Sequence, residues 1–174
     1  LPGRSFLLHN KNGTLVDETP AVLKEPGMVT DAAWSDINND SYPDLLLTGD
    51  WMPVTYFLNN KGKVETKNTV SNSSGLWNCI TAADIDKDGD ADFVLGNWGH
   101  NTQFKASAEK PMEMYVNDFD GNGSSEAIIT YYWPDGDSHL YNSKVDITSQ
   151  LPFLKKKFLQ YKDYAGKSIN DVFN

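Results

Sequence analysis

The chain has 174 residues, 39% hydrophobic and 22% charged, which is the length and make-up of one ordinary globular domain rather than a disordered tail. A net charge of −9 argues against nucleic acid as a partner, and the single Cys79 excludes an intrachain disulfide framework or a cysteine zinc site. No apolar run approaches the ~20 residues of a membrane span, and Leu1-Pro2-Gly3-Arg4 has neither the charged nor the apolar region of a signal peptide.

The first element in chain order is a hairpin over residues 5–19, whose Phe6 to Leu15 stretch echoes Tyr56 to Val64. Next comes an apolar stretch, Val29 to Ser35, followed by an acidic loop, Asp36-Ile37-Asn38-Asn39-Asp40-Ser41-Tyr42-Pro43-Asp44. Forty-eight residues after its start, Asp84-Ile85-Asp86-Lys87-Asp88-Gly89-Asp90-Ala91-Asp92 repeats the spacing. A third loop runs Asp118-Phe119-Asp120-Gly121-Asn122-Gly123-Ser124-Ser125-Glu126. All three read acid-x-[Asp/Asn]-x-[Asp/Asn]-[Gly/Ser]-x-x-acid, and together they hold 11 carboxylates.

Carboxylates packed this densely repel one another unless a cation sits among them, and Lys87 alone cannot offset them. Calcium can, since it takes six to eight oxygens at about 2.3–2.6 Å in a flexible shell, whereas magnesium demands a tighter octahedron and keeps its waters. Positions 1, 3 and 5 offer side-chain oxygens from Asp36, Asn38 and Asp40, from Asp84, Asp86 and Asp88, and from Asp118, Asp120 and Asn122. A small residue at position 6 permits a positive φ, so the chain can bend round the ion. Position 7 (Tyr42, Asp90, Ser124) offers a backbone carbonyl, and the acid at position 9 (Asp44, Asp92, Glu126) closes the shell. Up to three calcium ions are therefore expected.

An EF-hand needs Glu at position 12 and an exiting helix. Here position 12 is Leu47, Leu95 and Ile129, and the residues leaving each loop form apolar, β-branched and aromatic runs that favour strands. The register of the first two loops extends outward, matching Leu45-Leu46-Leu47-Thr48-Gly49 to Phe93-Val94-Leu95-Gly96-Asn97. Pro53 to Asn60 likewise matches Pro111 to Asp118. Repeats of ~40–50 residues with several short strands each point to propeller blades.

The loop at 84–92, its variants at 36–44 and 118–126, and the Leu58-Asn59-Asn60-Lys61-Gly62 hairpin resemble the FG-GAP/VCBS repeats of integrin-α-type β-propellers and bacterial cell-surface proteins. The resemblance covers residues 5–133 and implies calcium held within blade hairpins. It also implies an extracellular, periplasmic or cell-surface location and a role in adhesion or in binding a protein or glycan. The expected fold is mainly β, a partial β-propeller with a short C-terminal helical segment. Residues 1–135 form the propeller region, with outer hairpin 5–19, blade 28–70 and blade 77–133, the last carrying an insertion at 100–110. Residues 136–174 are linker and helices. The leading hairpin begins mid-blade, so more repeats are expected before it, and open sheet edges invite self-association.

In the C-terminal part, Ser149 is read as capping a helix through Leu151, Leu154, Phe158 and Tyr161, with Lys155-Lys156-Lys157 on its wet side. Ser168 and Asp171 form a capping-box-like start to a helix from Ile169 to Phe173. No nucleophile elbow, zinc-protease motif or phosphate loop occurs, and His9, His100 and His139 read as isolated surface residues. Trp34 and Trp133 are expected in the core, and Trp51 and Trp98 where strands run out into loops. The reading is a non-catalytic binding module; the alternative is a segment of a polysaccharide-degrading enzyme.

Overall fold

Short turns whose residues accept left-handed backbone set the strand pairing. The computed structural model describes residues 3–99 and 101–173, which fall into two compact units, Leu1–Gly99 and His100–Asn174. In the first, β1 (Leu8–Lys11) and β2 (Thr14–Asp17) form an antiparallel hairpin. Asn12 and Gly13 close it with φ of 52° and 89°, the twist that suits a two-residue hairpin loop. A 3-10 turn, Ala21–Leu23, then drops Leu23 into the core.

Four consecutive strands follow as an antiparallel meander: β3 (Met28–Ser35), β4 (Asp44–Met52), β5 (Thr55–Asn60) and β6 (Lys63–Thr69). Paired on both sides, β4 buries Leu45, Leu46 and Leu47 in succession. Alternation sends Leu45 and Leu47 to one face, where they meet Leu23, Met52, Phe57 and Val64, and Leu46 to the other. Gly49 is required by contact: a Cβ there would lie 2.1 Å from the Met28 carbonyl oxygen.

The next hairpin, β7 (Gly75–Ala83) with β8 (Asp92–Asn97), joins this sheet where Leu76 and Gly75 of β7 pair with Asp50 and Met52 of β4. Two side chains of β3 reach β7 as well. The Thr30 hydroxyl donates to the Trp77 carbonyl (2.7 Å), and the Ile80 N–H donates to Asp31 Oδ2 (2.9 Å).

In the second unit, β9 (Glu113–Asn117), β10 (Glu126–Tyr132) and β11 (Ser138–Leu140) form a three-stranded antiparallel sheet with β10 central. It is followed by α1 (Lys144–Gln150), a 3-10 turn (Pro152–Lys156), α2 (Tyr161–Tyr164) and α3 (Ile169–Phe173). Ile128 and Leu140 of the sheet share one core with Ile147, Leu151, Leu154, Phe158 and Val172. The Tyr164 hydroxyl donates to the Asn142 carbonyl (2.6 Å), and burial pushes its phenol up to about 12.

The division at 99/100 differs from the sequence-based boundary at 135/136, and the strands assigned to a blade over 77–133 are shared between the two units. The reason is the uncovered face of β10. Ile128 and Thr130 alternate onto one side, and the helices of residues 144–173, read as a separate tail, supply the apolar cover. Residues 138–140, within the expected linker, form a strand on β10.

The first helix also starts earlier than expected, capped by Ser143 in a reciprocal box with Asp146 rather than by Ser149. Pro152 disfavours helical backbone at Leu151 (φ −120°, ψ 83°), so α1 stops there and Leu154 and Phe158 enter the core from the next turns. Tyr161, expected on that helix, is exposed. The Ser168–Asp171 box does open α3.

Two tryptophans depart from the core positions expected of them. Trp34 is 48% exposed on β3, beside an open groove lined by Phe6, Val29 and Ala32. Trp133 is 38% exposed because it lies just past the end of β10, beyond cover by the sheet. Trp98 is exposed and Trp51 half-buried.

Candidate metal centres

Each acidic loop joins two antiparallel strands, β3 to β4, β7 to β8 and β9 to β10, and in each the acid at position 9 opens the second strand. Strands leave all three loops, so none is an EF-hand.

The backbone is wired the same way three times. The N–H at position 6 donates to the position 1 carboxylate: Ser41 to Asp36 (2.7 Å), Gly89 to Asp84 (3.2 Å), Gly123 to Asp118 (2.9 Å). The N–H at position 5 donates to position 3: Asp40 to Asn38 (3.1 Å), Asp88 to Asp86 (3.2 Å), Asn122 to Asp120 (3.2 Å). The N–H at position 7 donates to position 5: Tyr42 to Asp40, Asp90 to Asp88 and Ser124 to Asn122. The N–H at position 2 donates to the acid at position 9, each at 2.9 Å: Ile37 to Asp44, Ile85 to Asp92, Phe119 to Glu126. These bonds tie the side chains of positions 1, 3, 5 and 9 to the backbone of one turn of chain.

Positive φ at position 6 is realised at Ser41 (71°), Gly89 (97°) and Gly123 (87°). Position 4 is left-handed too, at Asn39 (60°), Lys87 (67°) and Gly121 (73°). Sequence reading missed this second bend. Asn and Gly accept such backbone readily and so give a signal, but Lys87 gives none.

The loops differ in what they offer a cation. Carboxylate oxygens of Asp84, Asp86 and Asp88 lie within 4.8 Å of one another, as do those of Asp118, Asp120 and Glu126, so either trio could hold a metal ion. In the second loop Asp84, Asp86, Asp88 and Asp92 each spend one oxygen on a backbone N–H, leaving the other without a hydrogen bond among the described residues. This hard, all-oxygen set suits a hard cation.

No such trio forms in the first loop among the described residues. Position 3 there is the amide Asn38, whose Nδ2 donates to Asp40 Oδ2 (3.1 Å). Asp44 is fully buried, accepting from Ile37 through Oδ2 and from Asn59 through Oδ1 (2.6 Å). Asn39 Nδ2 also donates to Asp90 Oδ1 of the second loop (2.9 Å), a link absent from the repeat pattern.

Of the histidines, His9 hydrogen-bonds Glu18 (2.8 Å) and is exposed, and His100 lies outside the described residues. His139 is not a surface residue: it is 4% exposed and stacks on Trp133 at 4.3 Å. Its burial, one residue before the core residue Leu140, was not readable from the polar turn that precedes it.

No helix among the described residues is long and apolar enough to cross a membrane. No curated protein and no solved structure matches the chain. Residues 36–95, from the head of the first loop through the second loop into β8, match the family model described as FG-GAP-like repeat. That match spans two similarly wired loops and the strands that leave them, so residues 36–95 carry an FG-GAP-like repeat.

Proposed function

We propose that the chain is a calcium-binding, non-catalytic repeat module of the extracellular adhesion type, in which calcium is structural and the partner is a protein or a glycan. The observation that carries this reading is the threefold wiring of 36–44, 84–92 and 118–126, which gathers acidic oxygens at two places able to take a cation. FG-GAP-like repeats are typically non-catalytic modules, which favours binding over turnover. The ligand set is Asp84, Asp86, Asp88, the Asp90 carbonyl and Asp92 in the second loop, and Asp118, Asp120, Asn122, the Ser124 carbonyl and Glu126 in the third. Asp36, Asn38, Asp40, the Tyr42 carbonyl and Asp44 form a weaker first site.

The four-stranded meander β3 to β6 is the shape of one propeller blade, and β7 with β8 starts a second, so the first unit is proposed as a partial propeller. The outer strands of that sheet, β6 and β8, give self-association a route through their edges.

Folding draws the loop acids together, so binding a cation becomes folding free energy. Each site contributes about 2.7 kcal/mol at a hundredfold excess over the dissociation constant. Thermal melting of the full chain in calcium and in chelator tests this. The midpoint should fall on chelation, Asp88→Ala should remove one ion by calcium titration, and Asp17→Ala, outside the loops, should remove none. An unchanged midpoint on chelation would overturn the reading.

A further inference from the structure

His139 is buried, yet both its ring nitrogens face acceptors. Nδ1 lies 3.1 Å from the Lys167 carbonyl oxygen and Nε2 lies 3.1 Å from Asp135 Oδ2. Neither a carbonyl nor a carboxylate can donate, so satisfying both contacts puts a proton on each nitrogen and makes the ring an imidazolium. The ring lies nearly parallel to the Trp133 indole, 4.3 Å away and tilted 21°, an arrangement that favours a cation over an aromatic face. The backbone of His139 also bridges to Ser168, the cap of α3.

We propose that His139 is a pH-operated latch: doubly protonated, it holds residues 167–173 against the β10–β11 hairpin, and loss of one proton to solvent releases α3. A neutral ring can donate to only one of its two partners, and the other contact then sets two lone pairs against each other. What α3 covers gives the latch its effect. Val172 is buried against the core that holds Ile128 and Leu140, and Ile169 and Phe173 line a groove with Tyr115, Phe119 and Ile128. Release widens that groove down to Ile128.

The charged surroundings favour the closed form. Asp135 is held below the usual carboxylate range first by the Asp137 N–H and also by His139. Asp171 on α3 is held low by its bonds from Ser168, with Lys167 and His139 adding to it. The other titratable groups on the neighbouring segments are Asp137, whose N–H donates to Asp135, Tyr131, which pairs with His139 from β10, and Lys110, whose Nζ would lie 3.8 Å from a Cβ on Gly136. A group that gains partners in its protonated form contributes its stabilisation at low pH and loses it as pH rises. The latch therefore opens as pH rises, from acid toward mildly alkaline solution.

Amide hydrogen exchange and ring ¹⁵N shifts of the full chain test this between pH 5.5 and 8.5. The Val172 N–H, bonded to the Ser168 carbonyl at 3.2 Å, should lose about tenfold or more in protection, corrected for intrinsic rate, as pH rises. The Ile128 N–H, on the Tyr115 register of β10 with β9, should keep its protection and serves as the fold control. In His139→Gln the pH dependence of Val172 should vanish. Should that variant not fold, Asp135→Asn should shift the opening to lower pH. A His139 ring carrying a single proton at pH 5.5, or Val172 protection independent of pH in the unaltered chain, would overturn the proposal.

Discussion

Single carboxylates carry much of the folding information in this chain. Asp44 is the clearest case, because it is buried and its two oxygens accept from Ile37 and Asn59, tying the first loop to β5. Asp44→Ala leaves two backbone N–H groups without their acceptor and should cost about 3 kcal/mol, read as a lower denaturant midpoint at unchanged slope. A loss below about 1 kcal/mol would mean that water replaces both bonds. Asp31 acts between strands, accepting from Ile80 and from Ala32, and the Ile80 bond is the larger cause holding its carboxyl below the usual range. A depressed carboxyl contributes above the unfolded value and loses that contribution as pH falls through the folded one. Asp31→Asn should therefore narrow the stability gap between pH 6 and pH 3 relative to the unaltered chain; an equal gap would show that Asp31 has no part in acid sensitivity. The loop spacing was legible because the same residue types recur at positions 1, 3, 5 and 9 of all three loops. The second roles of Asp44 and Asp31 were not, since a spacing pattern does not show which backbone N–H a carboxylate will meet.

Among the elements, the strands were the most readable and the helices the least. Strands follow from apolar runs that turns punctuate, as in Leu45-Leu46-Leu47 between the first loop and Pro53, and the turns Asn12-Gly13 and Lys61-Gly62 hold the left-handed backbone such hairpins need. The helical spacing of Leu151, Leu154 and Phe158 was real as burial and misleading as structure. Pro152 leaves Leu151 at the end of α1, Leu154 in a 3-10 turn and Phe158 just past that turn, and the core accepts all three. The true cap, Ser143, has its acid at Asp146 rather than at the Glu or Gln of the usual box, which weakened its signal. Ser143→Ala removes the acceptor for the Asp146 N–H (3.2 Å) and should cost about 1 kcal/mol in equilibrium unfolding. Ser149→Ala, at the position the sequence favoured, should cost less than half of that; equal losses would contradict the observed cap.

At the scale of the whole molecule, two cores stand where the length of the chain suggested one. Leu23, Leu45, Leu47, Met52, Phe57 and Val64 belong to the first unit, and Ile128, Leu140, Ile147, Leu151, Leu154, Phe158 and Val172 to the second. Units with separate cores unfold as separate cooperative transitions unless a large apolar interface couples them. The acidic loops are divided in the same way, with 36–44 and 84–92 in the first unit and 118–126 in the second. Calorimetry in calcium should therefore resolve two transitions. Asp88→Ala should lower only the one belonging to the first unit, and Asp120→Ala only the one belonging to the second. For units of this size each kcal/mol lost lowers the midpoint by about 4–8 °C, so losing a site worth about 2.7 kcal/mol is well within reach of the measurement. Chelator should lower both transitions together. If either substitution moves both midpoints equally, the two cores fold as one, and calcium in one loop stabilises the entire chain rather than the unit that holds it.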